Sequence, residues 1–128
     1  MTLGSSRRSE RERVLGLLYE AEAKDVALEE VAADVGGYAA EAAIGIAADQ
    51  QEIDSLIRRF SKGWDLERMP STDRALLRLS VWELLRRPDV PTAVTISEAV
   101  ELAKRYSTED SGRFVNGVLS AIAAAVRG

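Results

Sequence analysis

The sequence contains no cysteine and no histidine. The first absence excludes disulfides, thiolate nucleophiles and cysteine-ligated metals. The second removes the commonest general base and the commonest zinc ligand. Serine triads, di-iron Glu-x-x-His bundles and zinc hydrolases go with them. No apolar run approaches the ~20 residues needed to span a bilayer. The first fifteen residues are charged where a secretory signal is apolar. The expectation is a soluble cytoplasmic protein with no membrane partner. Phosphate loops are missing too: neither G-x-x-x-x-G-K-[ST] nor G-x-G-x-x-G occurs.

What remains is 128 residues, 46% hydrophobic and 30% charged, enough for one globular domain. The net charge of −4 argues against indiscriminate nucleic-acid binding. By segment the charge is uneven. Residues 1–19 carry four Arg and two Glu, net +2. Residues 20–57 carry one Lys against ten acids, net −9. Residues 58–128 carry twelve bases and nine acids, net +3. Such a division suits two different partners, or a solvated acidic helix face.

Helical periodicity dominates and strand alternation is absent. Val14, Leu17, Leu18 and Ala21 form one stripe. Ser9 with Glu12 reads as a capping box, which puts Arg7 and Arg8 at or before the first turn. Leu28, Val31, Ala32 and Val35 predict a short second helix ended by Gly36-Gly37. Ala42, Ile46, Ile53, Ile57 and Phe60 predict one long third helix ending at Lys62-Gly63. Trp64 to Pro70 reads as a connector. Ser71 or Thr72 can cap a helix with Asp73 in its first turn. From Ala75 to Leu85 apolar residues surround that helix, as expected at the middle of a bundle. It stops at Arg86-Arg87-Pro88. Thr95 and Glu98 form a second capping box. After the polar turn Ser107–Gly112 the last helix carries Phe114, Val115, Val118, Leu119, Ile122 and Val126. Gly117 inside it predicts a close helix approach. The fold class is all-α, about six or seven helices.

Catalytic chemistry finds little support. Glu98 and Glu101 share a face at i,i+3, but Glu101 and Arg105 make a favourable i,i+4 pair, so a surface salt bridge is the simpler reading. Nothing in the sequence would activate a serine or tyrosine. The expectation is a protein that is not an enzyme, with no cofactor and no metal site.

The arginines Arg7, Arg8, Arg11 and Arg13 stand out. Positive charge near a helix N-terminus opposes the helix dipole. Phosphate would favour it, since guanidinium forks and N-terminal amides both grip anions. A solubilising arm, partly neutralised by Glu10 and Glu12, is the competing reading. Single-stranded RNA also needs a surface on which bases stack. Phe114 with Arg113 supplies one if Phe114 is exposed; its shared stripe with Val118 would otherwise place it in the core.

The blocks Asp73-Arg74-Ala75-Leu76-Leu77-Arg78-Leu79, Trp82-Glu83-Leu84, Val90-Pro91, Ile96 to Lys104 and Phe114-Val115-Asn116-Gly117-Val118-Leu119 resemble the NusB family of bacterial transcription antitermination factors. Order and spacing agree throughout residues 73–119. Leu17-Leu18-Tyr19 and the N-terminal arginines extend the resemblance, whereas residues 25–60 match only in helical character. Trp82 stands where the family often has tyrosine, and Ser97 where asparagine is usual.

The resemblance implies a single NusB-like domain of two packed helical subdomains, residues 1–65 with the basic arm and 66–128. It implies pairing with the ribosomal protein NusE, binding to boxA RNA of ribosomal RNA operons, and action in an RNA polymerase elongation complex with NusA and NusG. It places Arg7, Arg8, Arg11, Arg13, Asp110 and Phe114 at RNA, and Tyr19 and Glu83 at NusE. From the residues alone, Tyr19 is equally a core aromatic with its hydroxyl outside, and Glu83 an internal partner for Arg78 or Arg87. Some members self-associate, so a homodimer belongs among the expected partners. A protein-only adaptor without direct RNA contact is the alternative function. A NusB-like domain detached from an RNA-modifying methyltransferase is a remoter one, because no methyltransferase motif accompanies it.

Overall fold

The computed structural model describes residues 3–128, with side chains from Arg7 onward. Among the described residues there are seven α-helices, one 3-10 turn and no strand. In chain order they are α1 (Leu3–Lys24), α2 (Leu28–Ala32), α3 (Gly37–Ala48), α4 (Gln50–Phe60), the 3-10 turn (Leu66–Arg68), α5 (Ser71–Arg86), α6 (Thr92–Tyr106) and α7 (Glu109–Arg127).

Helix α5 is the axis of the bundle, as its all-round apolar sequence requires. It packs against α1, α3, α4, α6 and α7. Leu76, Leu77, Leu79 and Val81 are almost completely buried on its different sides. Ile53 and Ile57 of α4, Ile46 of α3, Val14 of α1, Leu102 of α6 and Leu119 and Ile122 of α7 close the core around it. At the C-terminal end of α5, Arg127 donates to the carbonyls of Glu83, Leu84, Arg87 and Val90 and to Thr92 Oγ1. One guanidinium thus satisfies the orphan acceptors that every helix C-terminus leaves.

Several expected boundaries move, each for a tertiary reason. Helix α1 does not begin at a Ser9 capping box: it starts at Leu3, so Arg7, Arg8 and Ser9 lie within it. Glu12 accepts from Arg105 and Tyr106 instead of its own helix end. Likewise α6 begins at Thr92, behind Pro91, and the Thr95 hydroxyl and Glu98 carboxylate point to other helices. Arg105 pairs with Glu12, not with Glu101. The long third helix is broken at Asp49, whose backbone (φ −105°, ψ 15°) ends α3 and starts α4. Asp49 takes the Arg86 fork at 2.8 and 3.3 Å, tying the break to α5. Gly37 opens α3 at φ +68° and does not close α2. Pro70, not Ser71 or Thr72, occupies the cap of α5, and no side chain caps it.

The glycine expected to admit a neighbouring helix is the wrong one. A Cβ on Gly117 would meet open space. Gly45 of α3 makes the close approach: a Cβ there would overlap the indole of Trp82. Trp82 in turn lies edge-on to Tyr38 at 5.9 Å. Gly45→Ala should therefore destabilise the fold by about 1–3 kcal/mol through overpacking. Gly117→Ala should stabilise it by up to ~1 kcal/mol through helix propensity. Urea denaturation of the two variants beside the parent checks both signs.

Candidate nucleic-acid interface

The arginines of α1 point to different places because successive helical residues do. Arg11 faces inward and is 4% exposed. Its fork closes on the fully buried Glu83 of α5, Nε to Oε2 and Nη2 to Oε1, each at 3.0 Å. Thr95 Oγ1 donates to Oε1 at 3.0 Å and the Tyr38 hydroxyl to Oε2 at 2.5 Å. Glu83 thus accepts four hydrogen bonds, two per oxygen, and the buried charge is fully answered. Burial and the Glu83 contact hold the Tyr38 phenol well above its usual range, so it remains a donor.

One helical turn earlier, the same face of α1 meets a different partner. Arg7 stacks its guanidinium on the Tyr38 ring, 3.9 Å from the centroid. Arg87 approaches the same ring at 5.1 Å, and is itself forked by Asp89 at 3.0 and 2.8 Å. Arg8 forks Glu98 of α6 at 2.7 and 2.6 Å. Arg13 is exposed and pairs with Glu10 at 3.3 Å. Glu10 also accepts the Ala39 N–H at 3.0 Å, one of the orphan donors at the start of α3. Arg7, Arg8 and Arg11 line one cleft with Asp89, Val90, Pro91, Val94 and Glu98, about 580 Å³ in volume.

From this cleft the polar contacts continue along α6. Glu12 accepts from Arg105 at 3.2 Å and from the Tyr106 hydroxyl. Ser107 and Ser111 hydroxyls meet at 2.8 Å, and Thr108 caps α7 by accepting the Ser111 N–H at 3.0 Å. Just inside α7, Asp110 and Arg113 pair with one another at the surface. Phe114 is half-buried and meets the ring of Trp64 at 5.8 Å with a 54° tilt.

Tyr19 is 65% exposed and lines a separate groove of about 390 Å³ with Glu12, Leu15, Gly16, Ser71, Thr72, Ala75 and Tyr106. It is a surface aromatic. Glu83 cannot touch a partner, because its side chain is enclosed; its internal ligand is Arg11, and neither Arg78 nor Arg87. Arg78 forks Asp54 at 2.9 and 3.1 Å. Arg11 is likewise enclosed, with its guanidinium held by Glu83. The residues that reach the surface from the expected set are Arg7, Arg8, Arg13, Asp110, Arg113, Phe114 and Tyr19. The expected set leaves out Tyr38 and Trp64. Neither sits in a recognisable motif, and only the fold brings Tyr38 beneath Arg7 or Trp64 against Phe114.

Comparisons with known proteins decide the family. The NusB family model matches residues 6–124. A transcription antitermination protein NusB from Beutenbergia cavernae is 45% identical over 90% of this chain and 87% of its own length. The chain superposes on NusB of T. maritima with a TM-score of 0.84 and 40% identity, covering 92% of this chain and 90% of that one. It also superposes, with a TM-score of 0.78 and 27% identity, on a crystal structure of antitermination factors NusB and NusE in complex with double-stranded RNA, covering 96% and 99% of the two chains.

The chain belongs to the NusB family.

Two outcomes follow for this NusB-family site. Glu83→Ala leaves Arg11 charged and unpartnered in the interior, and should cost about 3–5 kcal/mol. The Arg11→Met, Glu83→Leu double substitution should lose less than Glu83→Ala, as urea denaturation can measure. A pH series tests the surface pairs. The Arg8 contact holds Glu98 below its ordinary range, and Arg87 holds Asp89 down at about 2. Depressed carboxylates stabilise the fold fully above their ordinary range and release that contribution as pH falls through the lowered values. The denaturation midpoint should therefore drop as pH falls from the ordinary carboxylate range, near 4, towards about 2. Glu98→Gln should flatten that dependence.

Proposed function

We propose that this chain is a non-catalytic, RNA-binding transcription antitermination factor of the cytoplasm. It pairs with a NusE-type ribosomal protein, binds boxA RNA, and joins an RNA polymerase elongation complex with NusA and NusG. The observation that carries this reading is the presence on one fold of the arginine cleft of α1 and the aromatic surface at the start of α7, with α6 contributing Glu98 to the first and packing against α7. Phosphates suit the first and unpaired bases the second. The shared fold of the NusB–NusE complex with double-stranded RNA supports the choice of partners. Tyr19 and its groove offer a separate aromatic surface for the protein partner. The acidic stretch of residues 20–57 suits a basic ribosomal protein better than it suits RNA.

A second reading has one observation in its favour. Arg8 and Arg11 are already engaged by Glu98 and Glu83, as they would be in a protein-only adaptor or a homodimeric interaction module. A single experiment separates the two. Binding to boxA-containing RNA and to a scrambled control is measured with and without NusE across a salt series. Selective binding that strengthens with NusE supports the RNA reading; NusE binding with no RNA contribution supports the adaptor. In the same assay Arg7→Ala with Arg8→Ala should weaken RNA binding. It should also flatten the log–log salt slope by about 1.4, since each single-strand phosphate contact contributes ~0.7.

A further inference from the structure

The three arginines of the α1 cleft are committed to different degrees. Arg11 is enclosed and held by Glu83. Arg7 rests on the Tyr38 ring. Arg8 stands between these cases. Glu98 fills its fork at 2.7 and 2.6 Å, yet the Arg8 side chain is 38% exposed and that of Glu98 18%. A phosphate arriving from solvent therefore meets a guanidinium whose fork is already taken by the protein's own anion.

Glu98 has a second place to go. Glu83 accepts from Nε and Nη2 of Arg11 and leaves Nη1 unused. That nitrogen lies 3.9 Å from Glu98 Oε1, the same oxygen that accepts from Arg8 Nε. A side-chain movement of about 1 Å brings the two within hydrogen-bond distance. The backbone need not follow. Thr95, one turn before Glu98 on α6, is buried and donates to Glu83, so the helix face stays in register while the carboxylate swings. Neighbouring charges have partners of their own: Glu12 pairs with Arg105, and Asp89 with Arg87. A carboxylate stripped of its cation inside the cleft would be costly, and the third nitrogen of Arg11 removes that cost. A partly exposed ion pair contributes little, and phosphate offers a guanidinium two oxygens as a carboxylate does. The exchange is close to balanced.

We propose that Glu98 is a displaceable internal anion that occupies the Arg8 fork in the free protein, yields it to an RNA phosphate, and falls back on Arg11 Nη1. Glu98 thereby sets the affinity of the cleft. A monatomic anion cannot replace it prong for prong; a phosphodiester can. The inference rests on the RNA reading above and adds to it a residue that opposes binding. It also accounts for the engagement of Arg8 and Arg11 on which the adaptor reading draws.

The test is a double-substitution cycle on the full chain, with boxA-containing RNA and NusE as the probe. Glu98→Gln keeps the shape of the side chain and should tighten RNA binding about threefold. Arg8→Ala should weaken it. On that background Glu98→Gln should change the affinity little, because the fork it would free is gone. Glu101→Gln removes an exposed acid from the same helix and should have little effect on either background. Arginine side-chain NMR follows the second position. The Arg11 Nη1–H signals should shift when RNA binds the parent, and should not when it binds Glu98→Ala. Equal tightening by Glu98→Gln with and without Arg8 reduces Glu98 to general repulsion and overturns the proposal. Weaker binding by Glu98→Gln makes the carboxylate a support for Arg8 and overturns it too. Arg11 signals that ignore RNA, or that shift alike in Glu98→Ala, overturn the fall-back. Absence of RNA binding by the parent and every variant, with or without NusE, overturns the RNA reading itself and the inference with it.

Discussion

Everything about the basic edge of this molecule depends on one enclosed carboxylate. Glu83 sits on the central helix with no solvent contact, so its charge must be met from inside. Arg11, Tyr38 and Thr95 meet it from α1, α3 and α6. Four of the seven helices are therefore registered at one point. The arginines one helical turn earlier inherit that registration. Arg7 can lie on the Tyr38 ring because the phenol below it is pinned, and Arg8 can reach Glu98 because α6 is pinned beside α1. The burial of one ion pair fixes where the surface charges stand.

Arginine does this work in a way lysine could not. The pairs to Glu83, Glu98, Asp54, Asp89 and Asp49 are all two-pronged, which uses the planar guanidinium fork. A sequence with fourteen arginines and three lysines is thereby stiffened between helices and not only along them. The same chemistry leaves Arg8 in balance between an internal carboxylate and an external phosphate. Each offers two oxygens in nearly the same geometry.

The fold was legible where residues repeat and illegible where they meet. The apolar ring around α5 and the stripes of α1 and α7 dictate an all-α bundle from sequence alone, because periodicity is local. The break at Asp49 has a weak local signal, since Asp49 with Glu52 fits a helix start, but no side chain caps it and its partner Arg86 lies 37 positions on. The Ser9/Glu12 and Thr95/Glu98 patterns look like helix starts because a capping box and a pair of tertiary ligands use the same residue types. The arginine cluster was visible as a cluster. That Arg11 turns inward while Arg7 and Arg8 turn outward needed the position of Glu83. Trp64 read as part of a connector because its Phe114 contact spans the whole of α5 and α6.

The long reach of these contacts also sets an order of events. Arg11 meets its partner 72 residues further along the chain and Arg8 meets one 90 residues further. A growing polypeptide leaves the ribosome with α1 complete and its guanidinium groups unmatched until α5 and α6 have followed. The helix made first is docked late, against elements made long after it. Contacts this far apart in sequence carry the loop-closure entropy that local helix contacts avoid. The segment that bears the arginines is thus the one that waits longest for the rest of the fold.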